Sequence, residues 1–187
     1  GDAEGIIALI TDQGTVNGAS YLFTPAFPII ANIFNNVLNL QWLASLRRVR
    51  YLGNICLVLR LKQRLSDTYW LNVNDPGFPF VGVIEHTNFD SPDNYKGTHI
   101  VYLSQYLPLE EGAWDYTDEK YFNFAMQHLN RMFPEMEDSW VMDYKIWKSA
   151  YAQPVTERNY SCYVPGHETP FENCYISTMA QIYPEDR

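Results

Sequence analysis

The stretch at residues 49–61 (VRYLGNICLVLRL) constrains the fold of this chain most strongly. It is rich in apolar and β-branched residues, and its centre is apolar on both faces. A strand of this composition belongs in the middle of a sheet, where neighbouring strands and covering layers bury it. The chain must therefore supply further strands on both sides of this segment.

Further strands are predicted before and after this central segment. Two short apolar strands precede it, and Pro25 ends the second because proline cannot donate to a strand ladder. Two strands after it flank an Asp-Pro-Gly turn and are predicted to form a hairpin. The full set of predicted strands besides 49–61 is 5–11, 19–24, 69–74, 80–85, 98–107, 140–155 and 174–178.

Two helical regions interrupt the strands. Residues 28–46 place apolar side chains at three- and four-residue spacing, with a break in the Asn-rich middle. Thr117, with acidic residues directly after it, predicts a helix start, and Pro134 ends that helix. Runs of strands with segregated helices predict an α+β fold, built on a mixed, mostly antiparallel sheet with flanking helices.

Composition excludes several classes of function. The 187 residues carry 22 acidic and 13 basic side chains, a net charge of −9, which argues against a nucleic-acid partner. The three cysteines are far apart, so we expect neither a disulfide framework nor a metal site. We find no signal peptide and no apolar run long enough to span a bilayer. A cytoplasmic location is therefore predicted.

The polar cluster Glu85-His86-Thr87-Asn88 follows a predicted strand directly. Functional groups often lie where a rigid strand meets a loop. One interpretation is that Glu85 or His86 faces a substrate and handles a proton. The alternative is that these side chains cap the strand and order the loop that follows.

Aromatic residues make up 16% of the chain and recur on the predicted strands. A small-molecule site needs an apolar, aromatic surface with a few placed polar groups. The side chains that could form such a sheet face are Tyr69, Trp70, Phe80, Tyr102 and Tyr106. The alternative is that these rings pack beneath the helices.

Several short motifs resemble those of one enzyme superfamily. Residues 19–25 (ASYLFTP) resemble the segment of flavin amine oxidases in which an FAD-domain strand ends at a Thr-Pro turn near the cofactor. Residues 147–154 (WKSAYAQP) and 173–175 (NCY) are similar to the crossover and the final FAD-domain strand of the same families. Residues 179–187 (MAQIYPEDR), Tyr69-Trp70 and the 85–88 cluster resemble a branch of protoporphyrinogen oxidase-like NAD(P)/FAD-dependent oxidoreductases.

The resemblance implies a function and a cofactor. The full-length protein would bind FAD and oxidise a C–N or C–C bond by hydride transfer to the flavin. The residues near the flavin would be Thr24, Pro25, Met179, Glu185, Asp186 and Arg187. His86 and Glu85 would contact the substrate. A UDP-galactopyranose mutase-like flavoenzyme and a non-catalytic, aromatic-rich lipid- or sugar-binding domain are the alternatives.

The resemblance also implies a domain organisation. Residues 1–25 would be strands on the FAD-domain side, 26–155 the substrate-binding domain, and 156–187 the return to the FAD-domain side. No GxGxxG fingerprint is present, so the N-terminal Rossmann unit and the last FAD-binding helix would be missing. The expected partners are therefore the missing FAD-binding domain of the same polypeptide and a small-molecule substrate. The isolated chain is expected to be inactive and could self-associate through an exposed face.

Overall fold

The structure is a computed structural model that describes residues 5–36 and 40–184. The chain forms two compact units. Gly1–Tyr51 and Gln153–Arg187 make the terminal unit, and Leu52–Ala152 makes the central unit. The predicted range 26–155 is thus divided between the two, because both helices of its N-terminal part belong to the terminal unit. The FAD-side and substrate-side roles given to the predicted ranges remain predictions.

The terminal unit joins the two ends of the chain through a pair of parallel strands. Its elements are β1 (Ala8–Thr11), β2 (Gly14–Asn17), β3 (Tyr21–Phe23), α1 (Phe27–Ile33), α2 (Leu40–Arg48) and β9 (Cys174–Ile176). β1 and β2 form an antiparallel hairpin. β3 pairs with β9 in parallel, with Tyr21 opposite Cys174 and Phe23 opposite Ile176.

The core of the terminal unit lies between its two helices and the β3–β9 pair. Phe27 and Ile30 of α1 and Ile176 of β9 are fully buried there. Tyr160 is also buried, and its hydroxyl donates to Ala180 O at 2.7 Å. A buried phenol needs such a partner, because an unpaired hydroxyl in an apolar core is costly.

A five-stranded sheet forms the main layer of the central unit. Its elements are β4 (Tyr51–Leu61), β5 (Trp70–Asn72), β6 (Gly82–Glu85), β7 (His99–Leu107), α3 (Asp118–Met132) and β8 (Val141–Pro154). The strand order is β5-β6-β7-β4-β8, and the β4–β7, β5–β6 and β6–β7 pairs are antiparallel. This confirms the α+β class, the mostly antiparallel main sheet, the interior position of β4 and the predicted β5–β6 hairpin.

The sheet buries one face completely and leaves the other partly accessible. Burial alternates along β4, and Ile55, Leu57 and Leu59 point into a core formed with α3. Cys56 and Val58 point the other way and are only half-buried. The apolar centre of β4 had predicted burial on both faces. The structure shows the alternation of a sheet with one fully buried face.

Local signals account for α3, the helix that covers the buried face. The Thr117 hydroxyl accepts from Lys120 N at 3.3 Å, which is the predicted cap. Tyr121, Ala125 and Leu129 share one side of the helix and are fully buried. Within the described residues, no helix has both the length and the apolar character needed to cross a bilayer.

Candidate functional site

The first candidate site lies where β3 and β9 end. The carboxyl ends of parallel strands meet at the same edge of a sheet, which is where open α/β sheets bind ligands. Here that edge carries Thr24 after β3 and Ser177 after β9, and Ser177 N donates to Phe23 O at 2.9 Å. We call the resulting cavity, about 480 Å³, the strand-end hollow. It is lined by Thr24, His167, Ser177, Thr178, Met179, Gln181 and Ile182.

Gln181 fixes the wall of the strand-end hollow. Its Oε1 accepts from Thr178 N at 2.8 Å, and its Nε2 donates to Gly166 O at 2.9 Å. His167 Nδ1 lies 3.0 Å from Ile176 O, and a carbonyl can only accept, so this nitrogen carries the proton. These contacts hold the polar groups of the wall in place.

Thr178 is the unusual group in this wall. It is 7% exposed, and its hydroxyl lies in a capping-box arrangement with Gln181 N. The contact between the Thr178 hydroxyl and Gln181 N does not have the geometry of a hydrogen bond. Among the described residues, the hydroxyl oxygen is therefore buried without a hydrogen-bond partner. Buried polar groups are nearly always paired, so this hydroxyl is an exception among the described residues.

The predicted cofactor residues separate into two groups. Thr24 and Met179 line the strand-end hollow together, and Pro25 follows Thr24 directly. Met179 is 51% exposed, so its thioether is available to a ligand. Glu185, Asp186 and Arg187 lie outside the described residues. The role of all six in binding a cofactor remains a prediction.

The second candidate site is the half-buried face of the central sheet, which we call the open face. The strand register places Trp70 opposite Ile84, Ile84 opposite Tyr102, and Tyr102 opposite Val58. These four side chains form one row across β5, β6, β7 and β4, because directly paired residues point to the same side. Tyr106 lies farther along the same face, opposite Asn54.

Two of the predicted aromatic residues lie elsewhere. Phe80 is 2% exposed and packs in the core on the α3 side, so it does not share the open face with Trp70 and Tyr102. Tyr69 precedes β5, and its ring centroid is 5.2 Å from that of the exposed Phe89. The predicted aromatic surface is therefore made by Trp70, Tyr102 and Tyr106, with Tyr69 at its margin.

Glu85 serves the loop rather than the open face. It is 1% exposed and points to the same side as Val83, away from Ile84. Its carboxylate accepts from Leu65 N at 3.0 Å and from Ser66 N at 2.9 Å. These contacts give Glu85 a structural role, but in the loop before β5 and not in the loop after β6 that the alternative interpretation named. Contact between Glu85 and a substrate remains a prediction.

His86 belongs to a short hydrogen-bonded array beside the open face. Its Nε2 lies 2.7 Å from the Tyr95 hydroxyl, which donates to Asp90 Oδ2 at 3.0 Å. Its ring meets Tyr102 edge-on, with centroids 5.9 Å apart. Hydrogen bonds from Asn94 and Tyr95 lower the pKa of Asp90. Burial and the bond to Asp90 raise the pKa of Tyr95.

Tyr95 and Asp90 are not among the site residues predicted from the sequence. Both lie in a polar loop, where single residues carry no periodic signal. One signal was available: Ser91-Pro92-Asp93 is a helix-start pattern, and Ser91 Oγ accepts from Asp93 N at 3.3 Å. The short 3₁₀ turn that it starts, Pro92–Tyr95, brings Tyr95 back to His86.

Among the described residues, no group of three or more acidic, His or Cys side chains could hold a metal ion.

Comparison with known proteins shows similarity at the level of structure alone. No family model matches the sequence, and no curated protein matches it. A protein from Exiguobacterium sp. 255-15, assigned as a protoporphyrinogen oxidase, matches 92% of this chain with a TM-score of 0.67 and 13% identity. An oxidoreductase from Methanosarcina mazei matches 94% of it with a TM-score of 0.64 and 16% identity. A reduced UDP-galactopyranose mutase matches 79% with a TM-score of 0.60 and 12% identity.

The matches cover only part of those structures. The chain spans 39%, 42% and 32% of the three proteins, respectively. At identities this low, the matches show a shared fold and are not evidence that this chain shares the activity of those proteins. The predicted resemblance is thus confirmed at the level of the fold, which this chain shares with parts of these three proteins.

Proposed function

We propose that this chain is the substrate-side portion of an FAD-dependent oxidoreductase. The observation that carries the proposal is the strand-end hollow, where Thr24 and Thr178 follow two parallel strands drawn from opposite ends of the chain. The fold shared with an oxidoreductase and a protein assigned as a protoporphyrinogen oxidase supports it. The partners in this proposal are the FAD-binding remainder of the same polypeptide and a small-molecule substrate.

The residues of the hollow fit a polar cofactor edge. In the part of the chain that the structure describes, the Thr178 hydroxyl is buried without a hydrogen-bond partner, and Thr24 and Thr178 line the same cavity. A hydroxyl can both donate and accept, so it suits the alternating donors and acceptors of a flavin ring edge. When bound, FAD would supply the two-electron oxidant that no amino-acid side chain provides. Met179 would give the cavity an apolar contact.

The open face would bind the organic part of a substrate. Trp70, Tyr102 and Tyr106 offer broad apolar surface at little cost in conformational entropy, since aromatic side chains have few rotatable bonds. Asn54 Nδ2 donates to Ser104 Oγ at 2.8 Å, which fixes a polar pair on the same face. Such a surface would orient the C–N or C–C bond to be oxidised and exclude water from it.

A second function from the same fold is an isomerisation without net oxidation. The match to a reduced UDP-galactopyranose mutase favours it. The exposed Trp70 and the carboxamide of Asn72, which accepts from the Trp70 indole N–H at 2.8 Å, could equally hold a sugar.

One experiment separates the two functions. The complete gene product is purified with its flavin, and the flavin is reduced anaerobically by candidate amines, alcohols and porphyrinogen-type substrates. An oxidoreductase bleaches the flavin and releases one oxidised product per flavin reduced. A mutase converts a nucleotide sugar with no net change in flavin absorbance. A complete product that binds no flavin contradicts both functions. The remaining hypothesis is then a non-catalytic domain that binds a lipid or a sugar.

A further inference from the structure

A loop after β6 brings three hydrogen-bonding side chains together at the edge of the open face. His86 begins the loop, Asp90 lies in its middle and Tyr95 ends the 3₁₀ turn Pro92–Tyr95. All three are half-buried, so each is partly shielded and still reachable from solvent. None belongs to the hydrophobic core of the central unit. The core does not explain why these groups are aligned.

The Asp90 carboxylate is fixed before it meets Tyr95. Its Oδ1 accepts from Ser91 N at 2.9 Å and from Asn94 Nδ2 at 2.8 Å. The remaining oxygen, Oδ2, accepts from the Tyr95 hydroxyl. The shifts in pKa of Asp90 and Tyr95 both favour an ionised carboxylate beside a protonated phenol. The single proton of the Tyr95 hydroxyl is therefore directed toward Asp90.

This direction decides the protonation of His86. Because the Tyr95 hydroxyl donates its only proton to Asp90, its oxygen can only accept a hydrogen bond from the imidazole. The 2.7 Å contact to His86 Nε2 then requires a proton on Nε2. A neutral imidazole carries one ring proton, so Nδ1 is left as the lone-pair nitrogen. Among the described residues, no hydrogen bond occupies His86 Nδ1.

We propose that Asp90 and Tyr95 hold His86 in the Nε2–H tautomer and thereby make Nδ1 the proton acceptor at the edge of the open face. The role toward substrate rests on the proposed function, whereas the tautomer does not. His86 is the proposed catalytic base, and Tyr95 and Asp90 are positioning residues that act through it. The substrate class is an organic molecule with an N–H or O–H next to the C–H bond that is oxidised.

The proton transfer balances within this array. The substrate N–H or O–H bond breaks, its electron pair stays on the nitrogen or oxygen, and the proton forms a new bond to His86 Nδ1. The imidazole becomes an imidazolium whose Nε2–H still donates to Tyr95. The Asp90 carboxylate then stabilises the new positive charge through the phenol, as a buried carboxylate does behind a catalytic histidine. The electron pair left on the heteroatom favours loss of a hydride from the adjacent carbon, and in the proposed function FAD would supply the two-electron oxidant that accepts it.

The other histidines lack this arrangement. His167 Nδ1 is bound to a backbone carbonyl, and His99 Nδ1 lies 3.9 Å from Glu85 Oε1, beyond hydrogen-bond distance. His128 Nδ1 lies 3.2 Å from the Arg131 guanidinium, a contact in which Nδ1 must accept. Of the four histidines, all within the described residues, only His86 has a ring nitrogen in contact with a tyrosine hydroxyl that itself donates to a carboxylate.

The first test measures the tautomer directly on the 187-residue chain. With ¹⁵N-labelled histidine, long-range ¹H–¹⁵N spectra distinguish a protonated ring nitrogen from a lone-pair nitrogen. His86→Gln identifies the resonances by their loss. We expect one tautomer with the proton on Nε2, and on acidification only the Nδ1 resonance should change to the protonated type. A proton on Nδ1 in the neutral ring overturns the proposal.

Matched tyrosine variants test the cause of the tautomer. Tyr95→Phe removes the acceptor oxygen and should give a mixture of tautomers at His86. Tyr163→Phe is the control, because the Tyr163 hydroxyl also donates to a carboxylate, Glu157 Oε2 at 3.3 Å, but in a site without histidine. It should leave the His86 spectrum unchanged. An unaltered single tautomer in Tyr95→Phe contradicts the positioning role.

The second test measures turnover in the flavin-loaded complete gene product. His86→Gln should lower kcat/KM by about 10²-fold or more, the range of a general base, with the flavin spectrum retained. Tyr95→Phe should lower it by a smaller factor. Unchanged turnover in His86→Gln overturns the base role. Failure to bind flavin contradicts the proposed function instead, and the tautomer measurement still decides the inference about Asp90, Tyr95 and His86.

Discussion

The Glu85 carboxylate accepts a hydrogen bond from Ser66 N at 2.9 Å and so fastens the loop between β4 and β5 to the end of β6. A second bond, from Leu65 N, reaches its other oxygen at 3.0 Å. Two backbone donors thus depend on one buried side chain. Glu85 therefore acts as a structural carboxylate.

Glu85→Ala should destabilise the chain strongly. It leaves two shielded N–H groups without partners, and each such loss costs about 1–3 kcal/mol. We expect a decrease of about 2–4 kcal/mol in the free energy of unfolding, measured by urea denaturation. Glu110→Ala, at an exposed position, is the control and should change it by less than about 0.5 kcal/mol. Equal stabilities of the two variants would show that Glu85 does not order this loop.

Thr178→Val separates stability from ligand binding. Valine has the shape of threonine without the hydroxyl, so replacing an unpaired buried hydroxyl should leave stability unchanged or raise it by about 1 kcal/mol. If the hydroxyl contacts the cofactor, the complete gene product should bind FAD more weakly in this variant, by about tenfold for one lost hydrogen bond. Thr15→Val, on the exposed hairpin strand β2, is the matched control. A marked loss of stability in Thr178→Val would mean that the hydroxyl is already paired in the folded chain.

Gly53 and Gly82, both on strands of the central sheet, form a matched pair of positions for testing the packing of the central unit. A Cβ on Gly53 would lie 2.8 Å from both Leu109 Cδ2 and Trp114 Cζ3, whereas on Gly82 the nearest atom would be 3.7 Å away. Gly53→Ala should therefore cost about 1–3 kcal/mol through overpacking. Gly82→Ala should be close to neutral. Thermal unfolding of the two variants measures the difference, and equal midpoints would contradict the packing of Trp114 against β4.

Alkaline pH should weaken the terminal unit through Tyr160. Burial raises the pKa of this phenol from 10.0 to about 12 in the folded chain. A raised folded-state pKa means that folding favours the protonated form, so the contribution is complete below pH 10 and is lost as the pH rises through about 12.

Tyr160→Phe tests this pH dependence. The variant loses the hydrogen bond to Ala180 O and should be less stable than the wild type by about 1 kcal/mol near pH 8. The difference should shrink above pH 10, because only the wild type then has a phenol to ionise on unfolding. Tyr175→Phe, at an exposed position, should show no such trend. A constant difference between wild type and Tyr160→Phe at every pH would contradict the burial of an ionisable group.

The elements that sequence predicted well are those specified by neighbouring residues. The Thr117 cap and the spacing of Ala125, Met126 and Leu129 determine α3, and the Asp75-Pro76-Gly77 turn determines the β5–β6 hairpin. Each signal lies within a few residues of the structure it produces, so composition and periodicity are sufficient to find it.

The relationships that sequence could not predict join distant residues. Tyr21 pairs with Cys174 across most of the chain, and no local turn encodes that parallel register. The apolar run around Phe80 fits either face of a strand, so only the packing under α3 decides that it is buried away from Trp70. Tyr95 reaches His86 only because a 3₁₀ turn reverses the loop. The candidate sites therefore emerged from tertiary structure, although several of their residues had been named from sequence.

Flavin binding is tested most directly by the visible absorption spectrum of the complete gene product after gentle purification. We expect the two bands of oxidised flavin, with about one FAD released per polypeptide on denaturation. FAD should be retained more weakly in Thr178→Val than in Thr15→Val. A folded, complete product that carries no flavin and binds none when FAD is added would show that the protein is not a flavoenzyme.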